Sequence, residues 1–325
     1  MTLDPQRVEH FRRDVVALLE AEPSNQHPLA LAVSGGPDSM AMLALAHAAF
    51  PGALVAATVD HRLRAAAADE AAMVAAHCAG LGVPHAILHP ATPVTGSSIQ
   101  ARAREARYAL LLRWALEADA AALLTAHHVE DQAETFLMRA ARSSGVAGLA
   151  GIRARRAMET PDGCKLPLIR PLLGWRRAEL RAIAEENGPF AEDPTNRDPA
   201  HDRTRFRLLL AESPELDPAQ LAATAAYAAE AQQALENVTD LLWNNRAKLG
   251  AGRVEIELAD LNRELRRRLV RRAVGHVLGR PFDGAAIEPL LDALEAGKGA
   301  TQAGVMVSMR GAAALFGPAP PRRSH

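Results

Sequence analysis

The 325-residue chain carries 37 basic and 38 acidic side chains, a net charge of -1, so no global field draws it to nucleic acid and any polyanion site must be a local patch. Hydrophobic residues make up 49% of it, enough for a sizeable core, and the length suits two domains of about 100–200 residues each. Its two cysteines, Cys78 and Cys164, lie far apart in sequence, which excludes a disulfide framework or a four-cysteine zinc site and fits a reducing compartment.

The opening MTLDPQRVEHFRRDVV mixes charges early and has no long apolar run, so it does not read as a secretory signal. It predicts an amphipathic helix over 6–21. Short apolar runs at 29–33, 53–59, 85–89 and 121–125 then read as buried strands. They alternate with helical segments at 38–49, 67–80, 98–117 and 129–141. That alternation predicts parallel βαβ units, a Rossmann-like sheet with helices on both faces, whose ligands sit beyond the carboxyl ends of the strands. The residues just after the strands therefore carry the interest: Ser34–Ser39, Asp60–Arg64 and His127–Asp131. A connector rich in glycine and arginine (145–165), the run LPLIRPLLGW (166–175) and a helix over 176–187 follow. The stretch EDPTNRDPAHDRTRFR (192–207) is polar and turn-rich, and a break falls near 212–217. Beyond it, helical segments at 217–248, 260–278 and 286–296, with β-like runs at 253–258 and 304–310, predict a smaller, mostly helical domain over 213–325. No run approaches the ~20 apolar residues of a membrane span, so a soluble cytoplasmic protein without a membrane partner is expected.

Residues 31–43, LAVSGGPDSMAML, interrupt an apolar strand–helix pair with small and polar residues. Glycines permit backbone angles and close approaches that a Cβ forbids. The first-turn amides of the helix that follows lack intrahelical partners and, with the helix dipole, suit a phosphate. Ser34 and Ser39 add hydroxyls, and Pro37 rigidifies the turn. The stretch is not a Walker A loop, because no lysine follows the glycines; Asp38 stands there instead, which suits phosphate only with a cation or a reacting group between them.

SGGPDS (34–39) resembles the SGGxDS pyrophosphate loop of the N-type ATP pyrophosphatases, which split ATP between its α- and β-phosphates. Further segments resemble the tRNA(Ile)-lysidine synthetases in order: VDHRLR (59–64), GSSIQARAREARYALL (96–111), the AHHxxDQxETxLxR stretch within 123–152, LIRPLLGWRRAEL (168–180), and EDPTN with DRTRFR (192–196 and 202–207). Thr195 stands where the family has serine, Thr204 where it has asparagine and Leu208 where it often has histidine; the second domain is similar by position and size more than by motif. The resemblance implies a catalytic domain over 1–212 and a tRNA-binding role for 213–325. It also implies a reaction in which ATP adenylates the C2 oxygen of the wobble cytidine of a CAU-anticodon isoleucine tRNA and lysine's side-chain amine then displaces AMP. Sulfur-inserting relatives of the same superfamily are the alternative, disfavoured by the absence of paired cysteines.

The resemblance implies these roles for ATP, Mg²⁺, L-lysine and the tRNA. Ser34, Gly35, Gly36, Pro37, Asp38 and Ser39 cradle the phosphates, with Asp38 as the candidate Mg²⁺ ligand. Val59 and His61 lie by the nucleotide, and Arg107, closing the ARxxRY match, contacts the ATP phosphates. His127, Asp131 and Glu134 would share one face of a continuous helix; two carboxylates there suit lysine's amino groups, Mg²⁺ or both, and the resemblance favours lysine. Arg203, Arg205 and Arg207 would share a face on an extended strand but not on a helix; Arg205 is expected to reach the catalytic centre. Arg139, Arg142, Arg153, Arg203 and Arg207 are candidate tRNA contacts, as is Arg266 in the basic run RELRRRLVRR (263–272). The sequence leaves the oligomeric state open, a homodimer included.

Overall fold

A computed structural model of the chain describes residues 3–62, 66–92, 99–192, 202–282 and 287–320. The motif residues Leu63, Arg64, Gly96–Ser98 and 193–196, Thr195 among them, lie outside the described residues. The chain divides into two compact units, Met1–Ala229 and Glu230–His325. The division falls inside one long helix, later than the 212/213 boundary read from the sequence.

In the first unit the predicted strands form: β1 (Leu29–Ala32), β2 (Leu54–Val59), β3 (His85–Leu88) and β4 (Ala122–Leu124). The connector holds a fifth, β5 (Arg155–Glu159), paired antiparallel with β6 (Lys165–Ile169). The sheet runs β3-β2-β1-β4-β6-β5, with every pairing except β5–β6 parallel. Leu29 of β1 pairs with Leu54 on one side and Ala122 on the other, so β1 and β4 flank the point where strand order reverses. A crevice opens there at the carboxyl edge of such sheets.

Successive side chains of β1 face opposite sides. Leu29 and Leu31 join a core with α1 (Pro5–Leu18), α2 (Pro37–Ala49), α3 (Ala66–Leu81) and α7 (Arg177–Asn187). Ala30 joins Leu111, Leu112 and Ala115 of α4 (Ile99–Glu117) on the other side. Helix α2 is buried from Ser39 through Ala46 and shows no polar stripe, as expected of a helix enclosed on every side. Trp175 donates its indole N–H to Asp14 Oδ2 at 2.9 Å and stacks on His10, tying α1 to the turn before α7.

The unit is completed by α5 (Val129–Ala140), the single turn α6 (Val146–Leu149), α8 (Asp202–Glu212) and the first part of α9 (Pro218–Arg246). Helix α8 corrects the sequence reading: DRTRFR was expected to be turn-like or extended, but it opens a helix that continues through Leu208, Leu209 and Leu210.

The second unit holds the expected helices α10 (Arg263–Leu278) and α11 (Ile287–Glu295) and also a complete antiparallel sheet. The two β-like runs become β8 (Arg253–Glu257) and β10 (Val305–Arg310); β7 (Ala247–Gly250), β9 (Ala300–Gln302) and β11 (Ala313–Pro318) were not read from the sequence. Their order is β7-β8-β11-β10-β9. Inward residues Val254, Ile256, Val305, Val307 and Phe316 pack with Leu269, Val270, Leu290 and Leu291, so the helices cover one face of the sheet. Helical residues still outnumber strand residues there. Among the described residues no helix is long and apolar enough to cross a membrane.

Candidate active site

Between β1 and α2 the chain makes the tight loop foreseen in the sequence. Gly36 is the N-cap of α2 and Pro37 its first residue. Ser39 Oγ donates to Gly36 O at 2.9 Å, accepts from Ser34 N–H at 3.1 Å and lies 3.2 Å from Ser34 Oγ. The buried Ser39 therefore pins both ends of the loop and leaves the first-turn amides of α2 to an anion. Gly35 is required by its backbone: its φ is +87°, a conformation L side chains rarely adopt, although a Cβ there would only touch Met73 and Val74. Gly35→Ala is expected to strain the loop by about 1–2 kcal/mol. The KM for ATP should rise several-fold while the melting temperature falls only slightly; an unchanged KM would show that the loop does not bind nucleotide.

The loop forms one wall of a cavity of about 410 Å³ at the switch point. Ser34, Gly36, Asp38 and Ser39 line it from β1–α2, Val59 and His61 from the end of β2, and Thr125, His127 and Asp131 from the end of β4. Gly35 and Pro37 shape the loop from behind. Arg104 and Arg107 reach the cavity from α4, and Arg203 and Arg207 from α8. Three successive strand ends and two further helices thus converge on one space, as the motif order predicted.

Helix α5 begins at Val129, so His127 precedes it and His128 is its N-cap. His127 lines the cavity with Nδ1 3.0 Å from Thr125 Oγ1; burial outweighs the neighbouring Asp131 carboxylate and lowers its pKa to about 3, so the ring is neutral. His128 is only 2% exposed. Its Nδ1 lies 2.9 Å from Glu130 Oε2, and its Nε2 lies 3.5 Å from Asp38 Oδ2 and 3.6 Å from Asp131 Oδ2. Burial alone would push its pKa down, but hydrogen bonds with Asp38 and Glu130 and the Asp131 charge raise it to about 9. Asp131 Oδ2 also accepts the His128 backbone N–H at 3.0 Å, closing the first turn of α5. Burial disfavours the Asp131 carboxylate, yet His128 and Arg203 beside it hold its pKa below the usual range.

Glu134 departs from the sequence reading. One helical step beyond Asp131, it is fully buried beneath α8, away from the cavity lining. Its carboxylate accepts Arg203 Nε at 2.7 Å, Arg207 Nε at 2.9 Å and an Arg177 terminal nitrogen at 3.3 Å. Arg203 bridges to Asp131 Oδ1 at 2.6 Å. Helical spacing explains the pair, since Arg203 and Arg207 are four residues apart and share a face. Arg205 points the other way. Its side chain is 72% exposed and lies 3.9 Å from Asp202, so the structure does not bring it to the centre. Asp38, Glu130, Asp131 and Glu134 are thus matched by Arg177, Arg203, Arg207 and a protonated His128.

On α4, Tyr108 carries the Arg104 and Arg107 guanidinium carbons 5.2 and 5.4 Å from its ring centroid. Arg104, Arg107 and the hydrogen-bonding Arg170 together hold the phenol pKa below its usual value against the effect of burial. Burial, and then the Arg104 charge, lower that of Arg107 despite the neighbouring phenol. No carboxylate lies within ion-pair distance of Arg104, Arg107 or Arg170 among the described residues, so the α4 wall of the cavity presents positive charge for an anion. His61, at the same wall, has its pKa lowered by burial and by Arg107.

Known proteins match this layout. The PP-loop domain family matches residues 7–213. The tRNA(Ile)-lysidine synthase of Zymomonas mobilis is 43% identical over 96% of this chain and 94% of its own length. That of Novosphingobium aromaticivorans is 43% identical over 97% of this chain and 94% of its own. The chain belongs to the tRNA(Ile)-lysidine synthase family. Among solved structures, the U34-tRNA thiolase NcsA from Methanococcus maripaludis superposes with a TM-score of 0.56 at 17% identity, over 70% of this chain and 78% of that one, a likeness of fold alone.

Family motifs led to the cavity but not to every residue that builds it. Arg104 in the lining, and His128, Arg170 and Arg177 behind it, went unassigned, although AHH holds His128, ARxxRY holds Arg104, RPLL holds Arg170 and GWRRAEL holds Arg177. Of the candidate tRNA contacts, Arg139 spends one terminal nitrogen on the carbonyls of Gly148 and Gly151, at 2.9 Å each, and so shapes the glycine-rich segment. Arg142 is exposed and paired with Asp202, and Arg153 is exposed. In the second unit the basic run is largely neutralised. Arg263 pairs with Glu288, Asp292 and Glu295; Arg267 with Glu264 and Glu288; Arg268 with Glu264; and Arg272 with Asp240. Arg266 has the longest contact, 3.8 Å to Glu295.

Proposed function

We propose that this chain joins lysine to C2 of the wobble cytidine in the CAU-anticodon isoleucine tRNA, at the expense of ATP. The observation that carries the reading is the convergence of the phosphate loop, the α4 arginines and the Asp131 carboxylate on one cavity, in a chain 43% identical to tRNA(Ile)-lysidine synthases over nearly its full length.

In the first step the C2 oxygen attacks the α-phosphorus, the α–β bond breaks and pyrophosphate leaves. The loop amides, Ser34 and Ser39 receive the pyrophosphate, and Arg107 opposes the charge that develops on the phosphoryl oxygens. Val59 and His61 flank the nucleotide. In the second step the side-chain amine of lysine attacks C2, the C2–O bond breaks and AMP departs with the oxygen. Asp131, beside the neutral His127, seats the lysine cation and takes the proton that the ammonium must lose. Arg203, which already bonds Asp131, closes that seat. Glu134 acts behind it by holding Arg203 and Arg207.

Magnesium fits this site as a shared ion. Asp38 Oδ1 is buried without a hydrogen-bond partner, and no group of three histidine, cysteine or acidic residues gathers to hold a metal among the described residues. One carboxylate plus substrate phosphates is the arrangement Mg²⁺ takes. Held by Asp38, it would neutralise phosphate charge. For the tRNA we propose contacts from Arg203 and Arg207 near the reacting base, from the exposed Arg142 and Arg153, and from Arg266 in the second unit.

Mass spectrometry of the wobble nucleoside after incubation with ATP, isotope-labelled lysine and the CAU-anticodon tRNA tests the reading. The cytidine should gain labelled lysine less one water, with one pyrophosphate released per modified tRNA. Incorporation of sulfur, or pyrophosphate release driven by a sulfide donor without lysine, would establish the thiolation alternative. Neither cysteine sits in the cavity lining: Cys78 is buried in α3 and Cys164 is exposed in the turn between β5 and β6.

A further inference from the structure

We infer that His128 is a positioning residue that couples the nucleotide half of the site to the lysine half, holding Asp38 and Asp131 in register through its Nε2. The inference rests on the proposed ligation for the roles of those two carboxylates, but the geometry is independent of it. Asp38 belongs to α2 and Asp131 to α5, elements that begin at different strands. His128 Nε2 lies within ion-pair distance of an oxygen of each, 3.5 and 3.6 Å. The opposite ring nitrogen is fixed 2.9 Å from Glu130 Oε2. That same oxygen accepts the Arg177 backbone N–H at 2.9 Å, so the ring is anchored to the start of α7 as well. With the ring 2% exposed, the interaction is poorly screened and the ring has little freedom to turn.

The arrangement has a chemical consequence. Asp38 directs Oδ2 to His128, which leaves the buried Oδ1 without a hydrogen-bond partner. Asp131 likewise gives Oδ2 to His128 and Oδ1 to Arg203. His128 touches neither ATP nor lysine in this scheme; it holds one carboxylate oxygen of each acid in place. Because the two acids share this one ring nitrogen, removing it should loosen both together. Arg177 Nε lies 3.4 Å from the same ring nitrogen, so the start of α7 meets the ring on this side as well.

Two near-isosteric substitutions separate the ring's nitrogens. The amide nitrogen of His128→Gln occupies the place of Nε2, whereas that of His128→Asn occupies the place of Nδ1. Wild-type lysidine formation is measured first, and its absence would count against the ligation reading, not against this inference. With activity in hand, His128→Asn is expected to raise the KM for lysine and the half-saturating Mg·ATP concentration together, each by tenfold or more. His128→Gln should return both to within threefold of wild type. KM values do not depend on the fraction of protein that is active, so a purely structural role would lower kcat and melting temperature and leave them unmoved. A rise in only one of the two constants, unchanged constants, or equal defects in both variants would overturn the assignment. If His128→Asn does not fold, Glu130→Gln replaces it, since it unfastens the opposite nitrogen: a joint rise is again expected, and constants that stay at wild-type values refute the coupling.

Discussion

Asp38→Asn should reduce pyrophosphate release by about 10³-fold at saturating ATP, lysine and tRNA, the scale seen when a charge-stabilising group is removed from a transition state. The substitution preserves volume and removes the charge shared between Oδ2, which meets His128, and the buried Oδ1, which has no hydrogen-bond partner. Its cost to the fold should be small. Asp38 lies in the first turn of α2, where a carboxylate contributes about 0.3–1 kcal/mol through the helix dipole, and its side chain is 30% exposed. Activity and stability are therefore expected to separate, with a near-native melting temperature and almost no adenylated tRNA. Turnover within fivefold of wild type would remove Asp38 from the catalytic scheme. Raising Mg²⁺ tenfold should recover part of the lost rate if the residue's work is to hold that ion.

What the sequence disclosed, and what it concealed, follows from the range of each signal. The strands around the site are short uninterrupted apolar runs because both faces are buried, and the phosphate loop is punctuation between two such elements; both are local signals. The α8 arginines were misread because DRTRFR alternates charged and uncharged residues, which suits an extended chain, and the polar approach to it suggested turns. The deciding information lies outside that segment, in the buried Glu134 that Arg203 and Arg207 meet only when they stand one helical turn apart. His128 escaped for a related reason. Placing His127, Asp131 and Glu134 on one helical face assumes that α5 starts before 127, whereas it starts at Val129 and the residue at its cap turns inward. In the second unit β7 and β9 are short, and β7, β9 and β11 carry few β-branched residues, so they are set by pairing with neighbours, not by their own composition.

Glu134→Ala should cost about 3 kcal/mol of stability, the range found when one partner of a buried ion pair is removed. The carboxylate is fully buried, and its loss leaves Arg177, Arg203 and Arg207 without their shared acceptor. Those side chains are 30–37% exposed and can turn partly to water, which keeps the estimate from the top of that range. The same substitution distinguishes two roles. A residue that only contacts lysine, when truncated, raises the KM for lysine and leaves the unfolding temperature of the lysine-free protein alone. A residue that fastens α8 to α5 lowers that temperature with no substrate present and also loosens Arg203, so lysine use and tRNA use weaken together. The second pattern is expected. Arg205→Ala, on the exposed side of the same helix, should stay within about 0.5 kcal/mol of wild type, because it removes a solvent-facing charge and no buried contact. A double-mutant cycle of Glu134→Ala with Arg203→Met should show the two losses to be strongly less than additive, since each change alone severs the same pair. Additive losses would mean that Arg203 is held by Asp131 alone and that the buried acid serves another end.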